Sequence, residues 1–383
     1  MMSAVTRQLV ALIKGQIPDI TEEVEWEFII RVARQSSVLP RLSAIFLENQ
    51  EKQLIPAYPL AHLSAAKRTY ELLVQQVHFE GDELVRLVNQ VSSEKPIFLK
   101  GAAYQLAGYK VSEGRVFSDI DILVMKNDIE RIENKLLVYG WIHDDIDEYE
   151  QMYYRQWAHE IPPLMHCSRG TLLDVHHNLV PIISGKAPNI DLFKNDLVDI
   201  CDGKAKTLAS YSMTLHSAIH LFYQEEYHHG FRDLADLHLM FSEFGQKDTF
   251  WENLFDLAEK SDFTHELGLA CRYTKMIFDS PIPESWMQKS QSFLPSSISL
   301  FVLDWVYQKV LQPQHPLCGV SKLGLANFIA MIRGHWIKMP LPVLIRHISH
   351  KVYTGLIEII AGKGALKKAT EDDGNSPDNI RKI

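Results

Sequence analysis

The sequence predicts an α+β protein, a small mixed β-sheet flanked by N-terminal and C-terminal helical regions. Three observations lead there. Apolar residues recur at spacings of three and four across residues 3–47 and 59–92, the period of a helix with one buried face. After Glu94-Lys95-Pro96 the pattern changes to short apolar runs, IFLK and FSDIDILV, each followed by a helix-like stretch. From Ser210 the helical period resumes and continues to Ile360, broken at 290–299 by serines and prolines.

Taken in order, PAYP at 56–59 separates the N-terminal helices. Residues 97–100 form a strand, GAAYQLAGY a helix, FSDIDILV a second strand and KNDIERIENKLLVY a second helix, which Gly140 stops. Trp141-Ile142-His143 begins another extended piece. The runs MYYRQWAHEIPPLMHC and GTLLDVHHNLVP are expected to be an antiparallel pair at a sheet edge. Ser168-Arg169-Gly170 makes their turn, and Pro162-Pro163 lies outside the central ladder. The implied organisation is a helical region at 1–92, an α/β core at 93–204, a helical domain at 205–361 and a disordered tail at 362–383.

At 383 residues, with 46% hydrophobic residues, the chain can bury conventional cores. Its net charge of -9 argues against broad nucleic-acid coating. Cys167, Cys201, Cys271 and Cys318 form no CxxC pair, so neither a zinc ribbon nor a disulfide framework is expected, and a reducing, cytoplasmic setting is. Charges interrupt the apolar stretch of MMSAVTRQLVALIKG, so no secretion signal is expected either. No apolar run reaches membrane-spanning length. Residues 339–360 group apolar residues between cationic ones, which suits peripheral contact with a membrane surface; a core-packed helix is the preferred reading.

Chemistry concentrates at 98–124. Side chains alternate along a strand, so Asp119 and Asp121 project from one face while Ile120, Ile122 and Val124 enter the core. Two adjacent carboxylates repel unless a proton or cation lies between them, and oxygen ligands on a rigid strand favour Mg2+. Asp174, on a strand expected beside them, adds a third acid, enough for two divalent ions to bridge nucleotide phosphates. Gly101 opens a helix where phosphate oxygens can approach backbone N–H groups, including that of Ala102, and Lys100 adjoins it. Arg115 is read as a triphosphate contact or as a surface partner of Glu113, and Ser118 as a loop support. His176 shares the face of Asp174.

At these residues the chain resembles the DNA polymerase β-like nucleotidyltransferase superfamily, and in particular its uncharacterised bacterial nucleotidyltransferases. The shared pattern is a glycine at a strand-helix turn, an Asp-x-Asp strand and a separate acidic strand, matched here by Gly101, Asp119 with Asp121, and Asp174 over roughly residues 96–181. The resemblance implies that Asp119, Asp121 and Asp174 bind the catalytic metals, with Asp174 also helping to deprotonate the acceptor. Ala102 departs from the Gly or Ser usual after the turn glycine and removes a hydroxyl contact.

The implied reaction moves a nucleoside monophosphate from a nucleoside triphosphate to a hydroxyl, with Mg2+ and release of pyrophosphate. A small molecule or protein acceptor is favoured over RNA. The first alternative is a catalytically inactive nucleotide-binding or partner-binding protein of the same fold. A metal phosphohydrolase built on His143-Asp144 is the weaker alternative, because that dipeptide follows a strand. His159, Glu160 and His166 are read either as acceptor-side residues or as surface, His216 and His220 as packed histidines, and Arg232, Asp233 and Asp236 as an ion-pair network.

Overall fold

A computed structural model describes residues 2–17, 20, 23–48, 55–143 and 146–350. The expected tail at 362–383, the end of the 339–360 stretch, and Asp144 of the His-Asp dipeptide lie outside these residues. Four helices come first: α1 (Ala4–Ile13), α2 (Glu23–Gln35), α3 (Leu39–Glu48) and the 32-residue α4 (Ala57–Val88). Ser3 caps α1 by accepting from the Thr6 N–H at 3.2 Å. Pro56 precedes α4, where its missing N–H costs nothing. A periodic face of α4, including Leu63, Val77, Leu84 and Val88, is buried.

The α/β part runs β1 (Ile97–Leu99), α5 (Lys100–Leu106), β2 (Asp119–Leu123), α6 (Ile129–Val138), β3 (Trp141–His143), α7 (Glu148–Gln156), β4 (Leu164–His166) and β5 (Leu172–His176). β6 (Val198–Ile200) and β7 (Ala205–Thr207) complete a mixed sheet of order β3-β4-β5-β2-β1-β7-β6. The pairs β2/β5 and β1/β7 are parallel; β1/β2, β3/β4, β4/β5 and β6/β7 are antiparallel. Helices α8 (Ser210–Tyr223), α9 (Gly230–Phe244), α10 (Asp248–Lys260), α11 (Thr264–Phe278), α12 (Glu284–Gln291), α13 (Ser297–Val310) and α14 (Leu323–Lys338) follow. The observed architecture is therefore the α+β arrangement of a mixed sheet with flanking helices.

Three local expectations need correction. Residues 152–156 of the first expected strand are helical, as part of α7: Asp147 accepts from the Glu150 N–H at 2.8 Å, Glu148 and Glu150 occupy the first turn, and Arg155 the last. These charges suit the helix dipole and outweigh the aromatic content that suggested a strand. The pair β4/β5 is antiparallel with its turn at 168–170, but β5 lies inside the sheet and β3 takes the edge. The hairpin β6/β7 was not anticipated, since three-residue strands are too short to display a period.

Two buried charges fix the layers. Glu80 on α4 is fully buried and receives Arg169 at 2.6 and 2.8 Å and the Thr171 hydroxyl at 2.6 Å, tying α4 to the β4/β5 hairpin. Asp236 on α9 accepts from Arg41 at 2.9 Å and from Arg115 at 2.5 Å, joining α9 to α3 and to the loop before β2. Residues 341–350 are helical, with Leu344 and His347 buried and Leu341, Ile345 and Ile348 exposed. Among the described residues no helix is long and apolar enough to cross a membrane.

Gly114 has φ +65°, and a Cβ there would collide with the backbone of Pro40 and Arg41. Gly114→Ala is expected to lower unfolding stability by at least about 2 kcal/mol, since strain and collision add. Gly324→Ala on α14, with open space around the added Cβ, should be neutral or slightly stabilising. Urea unfolding of both variants checks this; equal stability would remove the packing role given to Gly114.

Candidate functional site

The parallel pairing of β2 with β5 places Asp121 directly opposite Asp174. Ile120 and Ile122 on β2, and Leu173 and Val175 on β5, are buried on the other face, so alternation holds the acids on the side away from that core. Asp121 is buried, at 2% exposure. Its Oδ1 accepts from Lys100 Nζ at 2.6 Å and lies 2.9 Å from His176 Nε2. Asp119 is half-buried and receives the Ser118 hydroxyl at 3.1 Å.

Electrostatics separate the two opposed acids. Burial would raise the Asp121 pKa, but Lys100 and His176 outweigh it and hold the carboxyl well below the usual range. Asp174 has no such cation in contact, and burial, Glu160 and Asp121 push it up to about 8. Lys100 is raised above its ordinary value: burial opposes its charge, while Asp121, Asp119 and Asp174 together favour it. For His176, burial favours the neutral ring, and Glu160 and the bond to Asp121 more than offset this, so its pKa is raised.

Two clefts meet at this cluster. One, of about 300 Å³, is lined by Lys100, Gly101, Arg115, Phe117, Ser118, Asp119, Asp121, Arg232 and Asp233, with His220 and Gln224 at its far wall. The other, of about 260 Å³, is lined by Asp119, His159, Glu160, Asp174, Tyr223 and Lys338, and shares Lys100, Asp119, His220 and Gln224 with the first. Lys100 and Asp119 therefore stand on the wall between them. The first cleft carries Lys100, Arg115 and Arg232 together with Asp119, Asp121, Glu226 and Asp233; the second carries Asp119, Asp174 and Glu160 with Lys100, Lys338, His159 and His220.

Arg115 is buried and pairs with Asp236, with Asp233 4.0 Å away; Glu113 is not its partner. Burial disfavours its charge, but Asp236 and Asp233 raise its pKa overall. Arg232 pairs with Asp233 at 2.8 Å, and the network expected of Arg232, Asp233 and Asp236 is joined through Arg115 and extended by Arg41, neither of which was expected in it. Nη1 of Arg115 is buried without a hydrogen-bond partner. It packs against Gly101, where an added Cβ would overlap it and lie 2.9 Å from Phe117. Close packing of Arg115 is thus one reason for the glycine, beside the phosphate approach read from sequence. Ala102 is buried in the core and does not line either cleft.

The histidines separate into classes. His216 is buried and His220 half-buried on α8, both with lowered pKa values, His220 at about 3, because loss of solvent disfavours their charge; His220 also faces both clefts. His166 packs edge-on against Trp141 at 5.3 Å. His143 is the last residue of strand β3, with Nε2 2.7 Å from Glu133 on α6, so it does not stand on a helix as the phosphohydrolase alternative needs. His159 and Glu160 lie in the second cleft. Glu160 forms an isolated antiparallel bridge with His176, a pairing that no periodicity in 157–163 announces.

Among the described residues, two sets of potential metal ligands have donor atoms within 4.8 Å of one another: Asp121, Asp174 and His176; and His159, Glu160 and His176. The first contains two of the three acids expected to converge. Asp119 belongs to neither set and lines both clefts.

Residues 22–279 match the model of a family described as uncharacterised nucleotidyltransferase, a span that includes every residue of this cluster. Neither the curated proteins nor the solved structures gives a match.

An unfolded aspartate ionises near pH 4, whereas Asp174 in the folded chain keeps its proton to about pH 8. Its contribution to stability is therefore full below about pH 4 and is lost as pH rises toward 8. Without divalent ions, Asp174→Asn should gain stability relative to the parent between pH 5 and pH 8, on the order of 1–3 kcal/mol. Urea unfolding at both pH values measures this. A difference that does not change with pH would contradict the strained, protonated state assigned to Asp174.

Proposed function

The chain belongs to the uncharacterised nucleotidyltransferase family, and from that membership and the cluster geometry we propose that it transfers a nucleoside monophosphate from a nucleoside triphosphate to a hydroxyl, releasing pyrophosphate. The observation that carries this reading is the direct opposition of Asp121 and Asp174 on neighbouring parallel strands, beside two clefts that share Lys100 and Asp119.

The donor set fits Mg2+. Asp121 and Asp174 offer hard oxygen ligands on rigid strands, with Asp119 beside them, and the proton that Asp174 retains marks a place where the acids lack positive charge. Bound Mg2+, in one or two ions, supplies neutralisation of the triphosphate and of charge developing at the α-phosphorus. The chain's own residues do the rest. Lys100 and Arg232 attract the phosphates, and Arg115, buried beside Gly101, adds its charge to the same cleft. The acceptor enters from the second cleft, so the two reactants approach the carboxylates from different sides. Its oxygen forms the new bond to the α-phosphorus, the bond to the bridging oxygen of pyrophosphate breaks, and the hydroxyl proton passes to the Asp174 carboxylate, which a bound cation would first have freed of its own proton.

The turn at Gly101, the Asp-x-Asp of β2 and the third acid on β5 also support membership in the polymerase β-like superfamily. One contact favours the alternative of a binder without turnover: the Lys100 ammonium already sits 2.6 Å from Asp121, where it supplies part of the positive charge a metal would bring.

Purified protein incubated with each α-labelled nucleoside triphosphate, Mg2+ and host extract is expected to label an acceptor and release pyrophosphate. Asp121→Asn should reduce labelling at least about 100-fold, the scale of removing one principal charge stabiliser from a transition state, and chelation of Mg2+ should abolish it. Unchanged labelling in both Asp121→Asn and Asp174→Asn would overturn the mechanism. Nucleotide binding by the parent protein without labelling of any acceptor would establish the binder.

A further inference from the structure

The second cleft contains a cluster that the transfer reaction does not use. The carboxylate of Glu160 lies between two imidazoles: Oε2 is 3.2 Å from His176 Nδ1 and 3.8 Å from His159 Nε2. The two rings have centroids 5.2 Å apart. His176 is 2% exposed, and its Nδ1 has no hydrogen-bond partner, since the Glu160 oxygen lies near it but outside hydrogen-bonding direction. The Nδ1 of His159 is likewise buried without a partner.

Donation from Nε2 of His176 to Asp121 leaves a lone pair on Nδ1 when the ring is neutral. That lone pair is left without a partner, with a carboxylate oxygen 3.2 Å from the nitrogen but off its axis, an arrangement that a cation bound to both relieves. Zinc bonds to nitrogen and oxygen of about 2.0–2.2 Å in a tetrahedron place neighbouring ligand atoms about 3.3 Å apart. The distances from Glu160 are close to this spacing. The outer support is also present, because a ligating histidine ordinarily gives its other N–H to a carboxylate, the place Asp121 takes.

The backbone builds the site beforehand. The bridge between Glu160 and His176, the Ile161 N–H to Val175 bond of 3.1 Å and the His177 N–H to His159 bond of 2.8 Å hold residues 159–161 against the end of β5. Lys100 and Lys338 line the same cleft and oppose a cation; Glu160, Asp174 and Asp121 oppose them in turn.

We propose that His159, Glu160 and His176 bind a borderline divalent transition ion of the Zn2+ class, distinct from the Mg2+ site, with an open coordination position facing the second cleft. Two imidazoles and one carboxylate prefer such an ion to Mg2+. Three protein ligands are the number found where a fourth position is left for a reacting oxygen. That this oxygen belongs to the acceptor hydroxyl rests on the nucleotidyl-transfer reading; the binding of the ion does not.

Full-length protein stripped with a chelator and dialysed against Zn2+ in 100-fold excess of Mg2+ should retain one Zn2+ per chain. Co2+ substituted in its place should give the intense visible absorption of a four-coordinate site. His159→Ala and Glu160→Gln should each weaken Zn2+ retention at least about 10- to 100-fold, while His228→Ala, an exposed ring, leaves it unchanged. Circular dichroism of each variant identifies any that fails to fold, and the more conservative Glu160→Gln then decides. Absence of stoichiometric Zn2+ in the parent, or full retention by both folded ligand variants, overturns the site. The labelling assay is run on stripped protein in Mg2+, so failure of either reading leaves the other separately measurable.

Discussion

The parallel pairing of β2 with β5 is the constraint from which the site follows. Neighbouring strands lie about 4.8 Å apart, and the register opposes Asp121 to Asp174. Two ionised carboxylates about 5 Å apart repel by about 3 kcal/mol at an effective dielectric constant of about 20. Burial adds to this by withholding water. A register slip of one residue would turn the acids of one strand into the core, so the same apolar alternation that specifies the sheet also enforces the opposition. Lys100 answers Asp121, and Asp174 is left to keep its proton.

The sheet alone does not complete the pocket. Arg41, Arg115 and Arg232 meet Asp233 and Asp236 at the junction of α3, the loop before β2 and α9. Burying such ions is costly, and each is held by another. Arg115 consequently serves two surfaces. Its Nε side secures α9, while Nη1 remains unpaired beside Gly101. A lysine could not span both, because a point charge lacks the planar fork of the guanidinium.

Much of the core was legible in the sequence because its signals are local. The alternation DIDIL, the switch from helical to strand period and the Ser168-Arg169-Gly170 turn all report on a few neighbouring residues. Helix α7 was misread because aromatic residues carry strand propensity, while its cap and charged first turn decide the outcome. Strands β6 and β7 fall below the length at which a period exists. The partner of Arg115 lies 121 positions away on α9, a separation that spacing rules do not reach. Glu160 was readable as an acidic residue beside a proline pair, but its contact with His176 is a product of the bridge at the end of β5.

His176 links the chemistry of the two halves of this cluster. Its Nε2 faces Asp121, and its Nδ1 faces Glu160. An imidazole can donate from one nitrogen and accept at the other, so a change at Glu160 alters which nitrogen carries the proton and hence the charge felt by Asp121. Four carboxylates, Asp119, Asp121, Asp174 and Glu160, are gathered near Lys100, Lys338 and this ring. Protonation can compensate part of that excess, and does at Asp174, but at the cost of the negative charge that makes a carboxylate a ligand. Cations compensate it without that loss. The surplus of acid over base, held in place by the sheet register, is therefore best understood as the capacity of the site to accept positive charge from outside the chain.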